Sequence, residues 1–170
     1  MLDFCVALMI MCGPPPQAKA APANPQIDYA GFKSLTESVE AYRRRRLVSW
    51  DEFAAAARKK DVLILDARSA SAFAQGHIEG AVNLPFTDFT DESLAAAIGR
   101  ADRPILIYCN NNFSNDVAPV QVKSVRLALN IQTFINLVGY GYENVRELNE
   151  VVDFNDPKVK WVKGPALARR

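Results

Sequence analysis

Cys109 is the residue in this chain best placed to do covalent chemistry. It closes the apolar run Pro104-Ile105-Leu106-Ile107-Tyr108 and opens a polar one, Asn110-Asn111-Asn112-Phe113-Ser114-Asn115-Asp116. An apolar run of that length reads as a strand buried on both faces. In open parallel sheets, ligands bind beyond the carboxyl ends of the strands, which is where this sulfur falls. A loop curling around a thiol can aim several backbone N–H groups at it. A helix starting after the loop adds the positive end of its dipole, and both favour a thiolate or a bound anion. A buried, inert cysteine at a strand end fits the same position, so the thiol alone leaves both readings open.

The remaining composition narrows the chemistry. There is one histidine, His77, which excludes a metal site or dyad built on two histidines. Lys+Arg number 20 against Asp+Glu 19, so no long-range field draws the chain to nucleic acid or anionic lipid. With 49% apolar residues there is enough material for a core. The run Arg43-Arg44-Arg45-Arg46 reads as the solvated end of a helix whose cations complement the dipole, in preference to a phosphate patch.

Positioning Cys109 requires a sheet, and the pattern supplies one. The spacing predicts a helix over 35–46. Ser49-Trp50-Asp51-Glu52 is a capping box that opens a second helix, running to about Lys59. Residues 62–65, 81–84, 104–108 and 144–148 read as strands. Residues 92–98 read as a short helix. Leu127, Ile131, Phe134, Ile135 and Val138 fall at the spacing of a further helix. Strands alternating with helices predict an α/β fold with a mostly parallel sheet and helices on both faces. Trp161 is expected to cover a helix near the C-terminus, and Tyr140 and Tyr142 to be core and surface aromatics rather than ligand stackers.

The N-terminal segment reads differently. Phe4 to Met11 is an apolar run of eight residues, short of the about 20 that span a bilayer. Ala18-Lys19-Ala20 then matches a small-x-small processing site, although Met1-Leu2-Asp3 carries no cation. The expectation is a signal peptide over 1–20, a proline-rich disordered linker over 21–28 and one domain over 29–165, in a periplasmic or secreted protein with no transmembrane span in the mature chain. Cys5 and Cys12 would leave with the signal, so Cys109 would be the single thiol, with no internal disulfide.

Four stretches in order resemble the rhodanese-like domain family. Leu63-Ile64-Leu65-Asp66-Ala67-Arg68 is similar to the strand that opens its core. The stretch from Phe73 to Pro85 matches the pattern F-x-x-G-H-I-x-G-A-x-N-x-P. Ile105-Leu106-Ile107-Tyr108-Cys109 is similar to the strand delivering the family's active cysteine, and Gly141-Tyr142-Glu143-Asn144-Val145 to the turn into its last strand. The resemblance spans about Leu47 to Leu148. It implies a rhodanese-like α/β fold with a central five-stranded, mostly parallel sheet. It also implies a sulfurtransferase in which Cys109 takes sulfur from a donor such as thiosulfate as a persulfide. A nucleophilic acceptor (cyanide, a thiol or a protein cysteine) then removes it, without metal or cofactor. His77 in the matched motif is a structural residue, and Asp66 and Arg68 form a structural pair beside the site.

The loop departs from that family. Its members follow the cysteine with a six-residue loop carrying a basic residue. Here Asn110, Asn111, Asn112, Phe113 and Ser114 carry no cation, and the stretch to Gly141 is longer. The anion-binding role is expected to pass to amide donors of the asparagine run. Lys123 and Arg126 are the first cations, three apart on an expected helical face that points at the pocket or at solvent. Phe113 either lids the thiol or packs the loop. The competing reading is a non-catalytic binding or regulatory module with an enlarged loop. A cysteine phosphatase ranks last, because its loop arginine is missing between Cys109 and Val125. A thiol redox sensor would need an external resolving thiol.

Overall fold

The computed structural model describes residues 24–164. The expected signal segment and the start of the linker lie outside the described residues. Asp28 caps α1 (Tyr29–Arg44) by accepting the Gly31 N–H at 2.8 Å. This helix begins well before the expected 35, because its first turns are exposed and carry no burial periodicity: Tyr29 is 80% exposed. After β1 (Leu47–Val48), Ser49 and Glu52 form the expected capping box on α2 (Trp50–Ala57). Then come β2 (Leu63–Asp66), α3 (Ala70–Gln75), β3 (His77–Ile78), β4 (Val82–Asn83), α4 (Asp91–Ile98) and β5 (Ile105–Tyr108). A long irregular segment leads to α5 (Leu129–Gly139), β6 (Val145–Leu148) and β7 (Trp161–Val162). Among the described residues, no helix is long and apolar enough to cross a membrane.

The main sheet has five strands in the order β1-β6-β5-β2-β4, every pairing parallel. β5 lies central, between β6 and β2, so the residue after Tyr108 leaves the sheet near its middle. Side-chain alternation divides the interior in two. Ile64, Leu106 and Tyr108 join Phe53 of α2 and Phe73 of α3 on one face. Leu63, Leu65, Ile105 and Ile107 join Val39 of α1, Leu94 of α4 and Phe134 of α5 on the other. That double burial explains the uninterrupted apolar runs of β2 and β5.

The arginine run is structural. Arg43 makes a bidentate pair with Glu147 at 2.6 and 2.5 Å, Arg44 pairs with Glu40, and Arg46 lies over the Tyr42 ring.

Among the described residues, no α-helix follows β6 for Trp161 to cover. That residue lies in β7, which pairs antiparallel with β3 so that Ile78 faces Trp161. Its indole packs edge-on to Phe113 and flat on Phe154, centroids 5.0 and 5.2 Å away. Gly76 is required by this contact: a Cβ there would sit 2.2 Å from Trp161 Nε1. The glycine of the G-H-I stretch therefore makes room for an indole from the far end of the domain. Gly76→Ala is expected to destabilise the domain by about 1–3 kcal/mol through overpacking, measured by urea unfolding followed through tryptophan fluorescence. An unchanged midpoint would show that the indole moves aside freely.

Candidate active site

Cys109 follows β5 with extended backbone (φ −144°, ψ −173°). Alternation turns Tyr108 toward α2 and α3, and Cys109 toward α5. The backbone N–H groups of Asn130, Asn111 and Leu129 are directed toward its sulfur and favour its charged form. Leu129 and Asn130 begin α5, so the sulfur faces a helix N-terminus from within the fold. The side-chain Oδ1 of Asn130 is buried and has no partner among the described residues. Cys109 as a whole is 1% exposed. Burial pushes the thiol pKa up, the three N–H groups pull it down, and the nearby Glu147 carboxylate adds to the rise; burial prevails. The cradle of N–H groups is as the sequence leads one to expect, but it does not by itself make a resting thiolate, because desolvation outweighs it.

The three asparagines have three distinct jobs. Asn112 is buried, and its amide uses every site it has. Oδ1 accepts from the Cys109 N–H and from Asn130 Nδ2, both at 2.9 Å. Nδ2 donates to the Leu148 carbonyl at 2.8 Å and the Glu150 carbonyl at 3.0 Å. It joins the cysteine, the end of β6 and the start of α5. Asn110 and Asn111 instead hold the long loop: Asn110 Nδ2 donates to Gln121 O, and Asn111 Nδ2 to Lys123 O, both at 2.8 Å. Asn111 Oδ1 also accepts the Lys123 N–H at 3.1 Å.

This pinned loop forms one wall of a cavity of about 470 Å³ that reaches Cys109. The opposite wall comes from the end of β2 and from α3, with Arg68, Ser69, Ser71 and Gln75. β2 and β5 are neighbours in the sheet, so their carboxyl ends open onto one space. Asp66, fully buried, lies beneath that wall rather than on it. It accepts from Arg68 Nε at 3.0 Å, from Arg68 Nη2 at 2.5 Å and from the Tyr108 hydroxyl at 2.6 Å. Arg68 Nη2 also donates to the Gly76 carbonyl at 2.8 Å. Arg68 is therefore a cavity cation whose charge is already matched. His77 is structural: its ring stacks on Phe73 at 3.6 Å, and Nδ1 meets the Phe73 carbonyl at 2.8 Å. Among the described residues, no group of His, Cys, Asp or Glu is arranged to hold a metal.

The expected site residues separate accordingly. Cys109, Asn110, Asn111 and Lys123 line the cavity together with Arg68. Phe113 is no lid; it is a core residue edge-on to Tyr108 and Trp161. Ser114 is exposed, and its backbone N–H donates to Val152 O at 2.9 Å, away from the cavity. Lys123 and Arg126 share no helical face. Lys123 lies in irregular chain, and Arg126 in a single 3₁₀ turn (Val125–Leu127) outside the cavity lining. Leu127 is 65% exposed and precedes the helix it was expected to join. Two contributors escaped the sequence reading. Ser69, the N-cap of α3, sits at the end of the neighbouring strand, and the same strand-end rule applied to β2 would have found it. Asn130 follows from the helix start that faces the thiol.

Comparisons with known proteins agree on one family. The model of the rhodanese-like domain matches residues 49–150. A curated relative, the thiosulfate sulfurtransferase GlpE of Shewanella oneidensis, is 41% identical over 61 residues, 35% of this chain. The match spans 55% of that relative's length, about half. Among solved structures, the Alr3790 protein of Anabaena sp. shares the fold, with a TM-score of 0.51 at 18% identity over 69% of this chain and 92% of that one.

Two outcomes test the geometry. Asn112→Ala leaves a buried N–H, an amide and two carbonyls without their partner, and is expected to cost about 3 kcal/mol or more in chemical denaturation; a loss under about 1 kcal/mol would mean that water replaces the amide. The raised thiol pKa predicts that alkylation of Cys109 by iodoacetamide rises with pH through an inflection above about 8.5, the usual thiol value. The fold favours the protonated form, so the stability gained from it is lost as pH climbs through the folded-state pKa. An inflection below 7 would show the N–H cradle to be dominant.

Proposed function

The chain belongs to the rhodanese-like domain family, and we propose that it is a sulfurtransferase that carries sulfur on Cys109. The observation that carries this reading is the meeting of three backbone N–H groups on the Cys109 sulfur at the edge of an open cavity. Fixed donors aimed at a sulfur stabilise negative charge there without reorganising.

In the first step the Cys109 thiolate attacks the sulfane sulfur of a donor such as thiosulfate. A sulfur–sulfur bond forms at Cys109, the donor's own sulfur–sulfur bond breaks, and sulfite leaves with the electron pair. In the second step a thiol or cyanide attacks the outer sulfur, and Cys109 leaves as thiolate. The N–H groups of Leu129, Asn130 and Asn111 hold the charge on sulfur in both steps. Lys123 meets the anionic donor at the cavity wall, and Asn111 fixes the backbone of that lysine. Arg68, on the facing wall, has its charge matched by Asp66 and fixes the wall rather than the donor. No cofactor enters either step. Export through the Phe4–Ala20 segment is part of this reading and makes Cys109 the sole thiol of a periplasmic or secreted protein, with a protein thiol as one class of acceptor.

A second reading has its own observation. The sulfur is almost fully buried, its pKa is raised, and no cation stands between Cys109 and Lys123. Those features suit a non-catalytic binding or regulatory module of the same family. A phosphatase is disfavoured, since the guanidinium at the cavity, Arg68, is taken up by Asp66.

Intact-mass analysis after incubation with thiosulfate separates the two. Wild-type protein is expected to gain ~32 Da, lost again on adding cyanide, and Cys109→Ala to gain nothing. A folded, reduced wild-type protein that gains no mass with any sulfane donor is the binding module instead.

A further inference from the structure

A cavity of about 140 Å³ opens between α2 and the turn Pro157–Val159, and it shares no lining residue with the cavity at Cys109. Its origin is visible in α2. Ala54 and Ala57 stand one turn apart on the helix and both line the cavity, so two methyl groups occupy positions where larger side chains would close it. Beneath them the lining reaches the core, since Phe53, Ile64, Ile78 and Val159 are all buried. Trp50 forms one side and lies flat on Phe53, with ring centroids 5.7 Å apart and 17° between ring planes. The facing turn is held in place: the Glu79 N–H donates to the Lys160 carbonyl at 3.0 Å, and Val159 packs into the core.

The charged part of the lining has the opposite character. Three cations, Arg58, Lys158 and Lys160, stand against one carboxylate, Glu79. Lys160 and Glu79 meet each other at 3.6 Å. Arg58 and Lys158 make no ion pair among the described residues, so two positive charges are left uncompensated beside an apolar floor. Size and chemistry together select a ligand class. A cavity of about 150 Å³ lined by apolar side chains holds one benzene ring. Phe53, Ala54, Ala57, Ile64, Ile78 and Val159 offer no side-chain hydrogen bond, so a polar group buried among them would go unpaired. An aromatic ring there gains packing against the floor and ring contact with Trp50. The uncompensated cations favour a negative charge next to that ring.

We propose that this cavity is a binding site for a small aromatic monocarboxylate, with its ring on the floor beside Trp50 and its carboxylate at Arg58 and Lys158. A single ring with one acidic group on a short arm meets both halves of the lining. A phosphate or sulfate leaves the apolar floor unused, and an uncharged ring leaves the two cations unmatched. Binding is non-covalent and needs nothing from Cys109, so the site stands or falls independently of the sulfurtransferase reading.

Phenylacetate is the probe, titrated into the whole chain and followed by amide nitrogen–proton NMR shifts. Saturable shifts are expected at Ala54, Ala57, Ile78 and Val159, with a Kd on the order of 1 mM for a ligand of this size. Phenylacetamide, the ring without the charge, is expected to bind about fivefold more weakly, the scale of one exposed charge pair. Acetate, the charge without the ring, is expected not to saturate. Arg58→Gln combined with Lys158→Gln is expected to erase the difference between acid and amide. Ala54→Leu fills the cavity and is expected to abolish the shifts; should that variant fail to fold, the surface pair of substitutions still decides. Shifts that never saturate, that centre on Asn111 and Lys123, or that persist in a folded Ala54→Leu variant would overturn the site. Equal affinity of the wild type for acid and amide would overturn the anion. A blocked Asp-Phe-Asp peptide that binds about tenfold more tightly than phenylacetate would assign the cavity to a partner protein's side chain and overturn the free ligand.

Discussion

Asp66 has no contact with solvent, and its carboxylate organises the ground on which the cavity stands. It ends β2, faces Tyr108 across the β2–β5 pairing, and takes hydrogen bonds from that tyrosine and from Arg68. A buried ion pair with perfect partners adds little net stability, but removing either partner strands a charge at a cost of about 3–5 kcal/mol. The pair therefore acts as a lock on geometry. Tyr108 also receives the Ile78 N–H at 3.2 Å, and Arg68 reaches the Gly76 and Pro119 carbonyls. One carboxylate thus ties the β2–β5 pairing, the G-H-I stretch and the long loop to one another. Cys109 is the next residue after this lock.

A second constraint operates on the opposite side of the cysteine. The segment from Cys109 to Ala128 makes no α-helix where a shorter loop of the family would enter one, so most of its backbone groups need other partners. The asparagine run provides them. Asn112 satisfies the Cys109 N–H and the end of β6, and Asn110 and Asn111 bind the returning chain at Gln121 and Lys123. A serine or threonine has no amide with which to donate and accept across such a gap. The consequence is a sulfur faced by oriented N–H groups and almost wholly buried at the edge of the cavity. Burial and dipoles oppose one another there, and burial prevails in favour of the thiol form.

Much of this was legible in the sequence because it depends on local pattern. The capping box at Ser49, the apolar runs of β2 and β5, and the placement of Cys109 at a strand end need only neighbours in the chain, and the structure has them so. The motif from Phe73 to Pro85 carried the family, and His77 is the structural residue that motif implies. What failed did so where distant segments decide the outcome. Lys123 and Arg126 suggested a helical face by spacing, but the carbonyl and N–H of Lys123 are claimed by Asn111, and the helix starts only at Leu129. The expected start of α1 was late because an exposed helical turn leaves no apolar signature.

The sequence alone therefore determined four of the strands, their parallel α/β arrangement and the identity of the one placed thiol, since these follow from periodicity and from a contiguous motif; the two-residue edge strand Leu47–Val48 carries no such signal. Only the tertiary structure decided what surrounds that thiol. Gly76 meets Trp161, Asn112 meets Leu148 and Glu150, and the sulfur meets the first turn of α5 across long separations in the chain. Electrostatics at the sulfur depend on burial and on the direction of N–H groups, and neither is a property of neighbours in sequence.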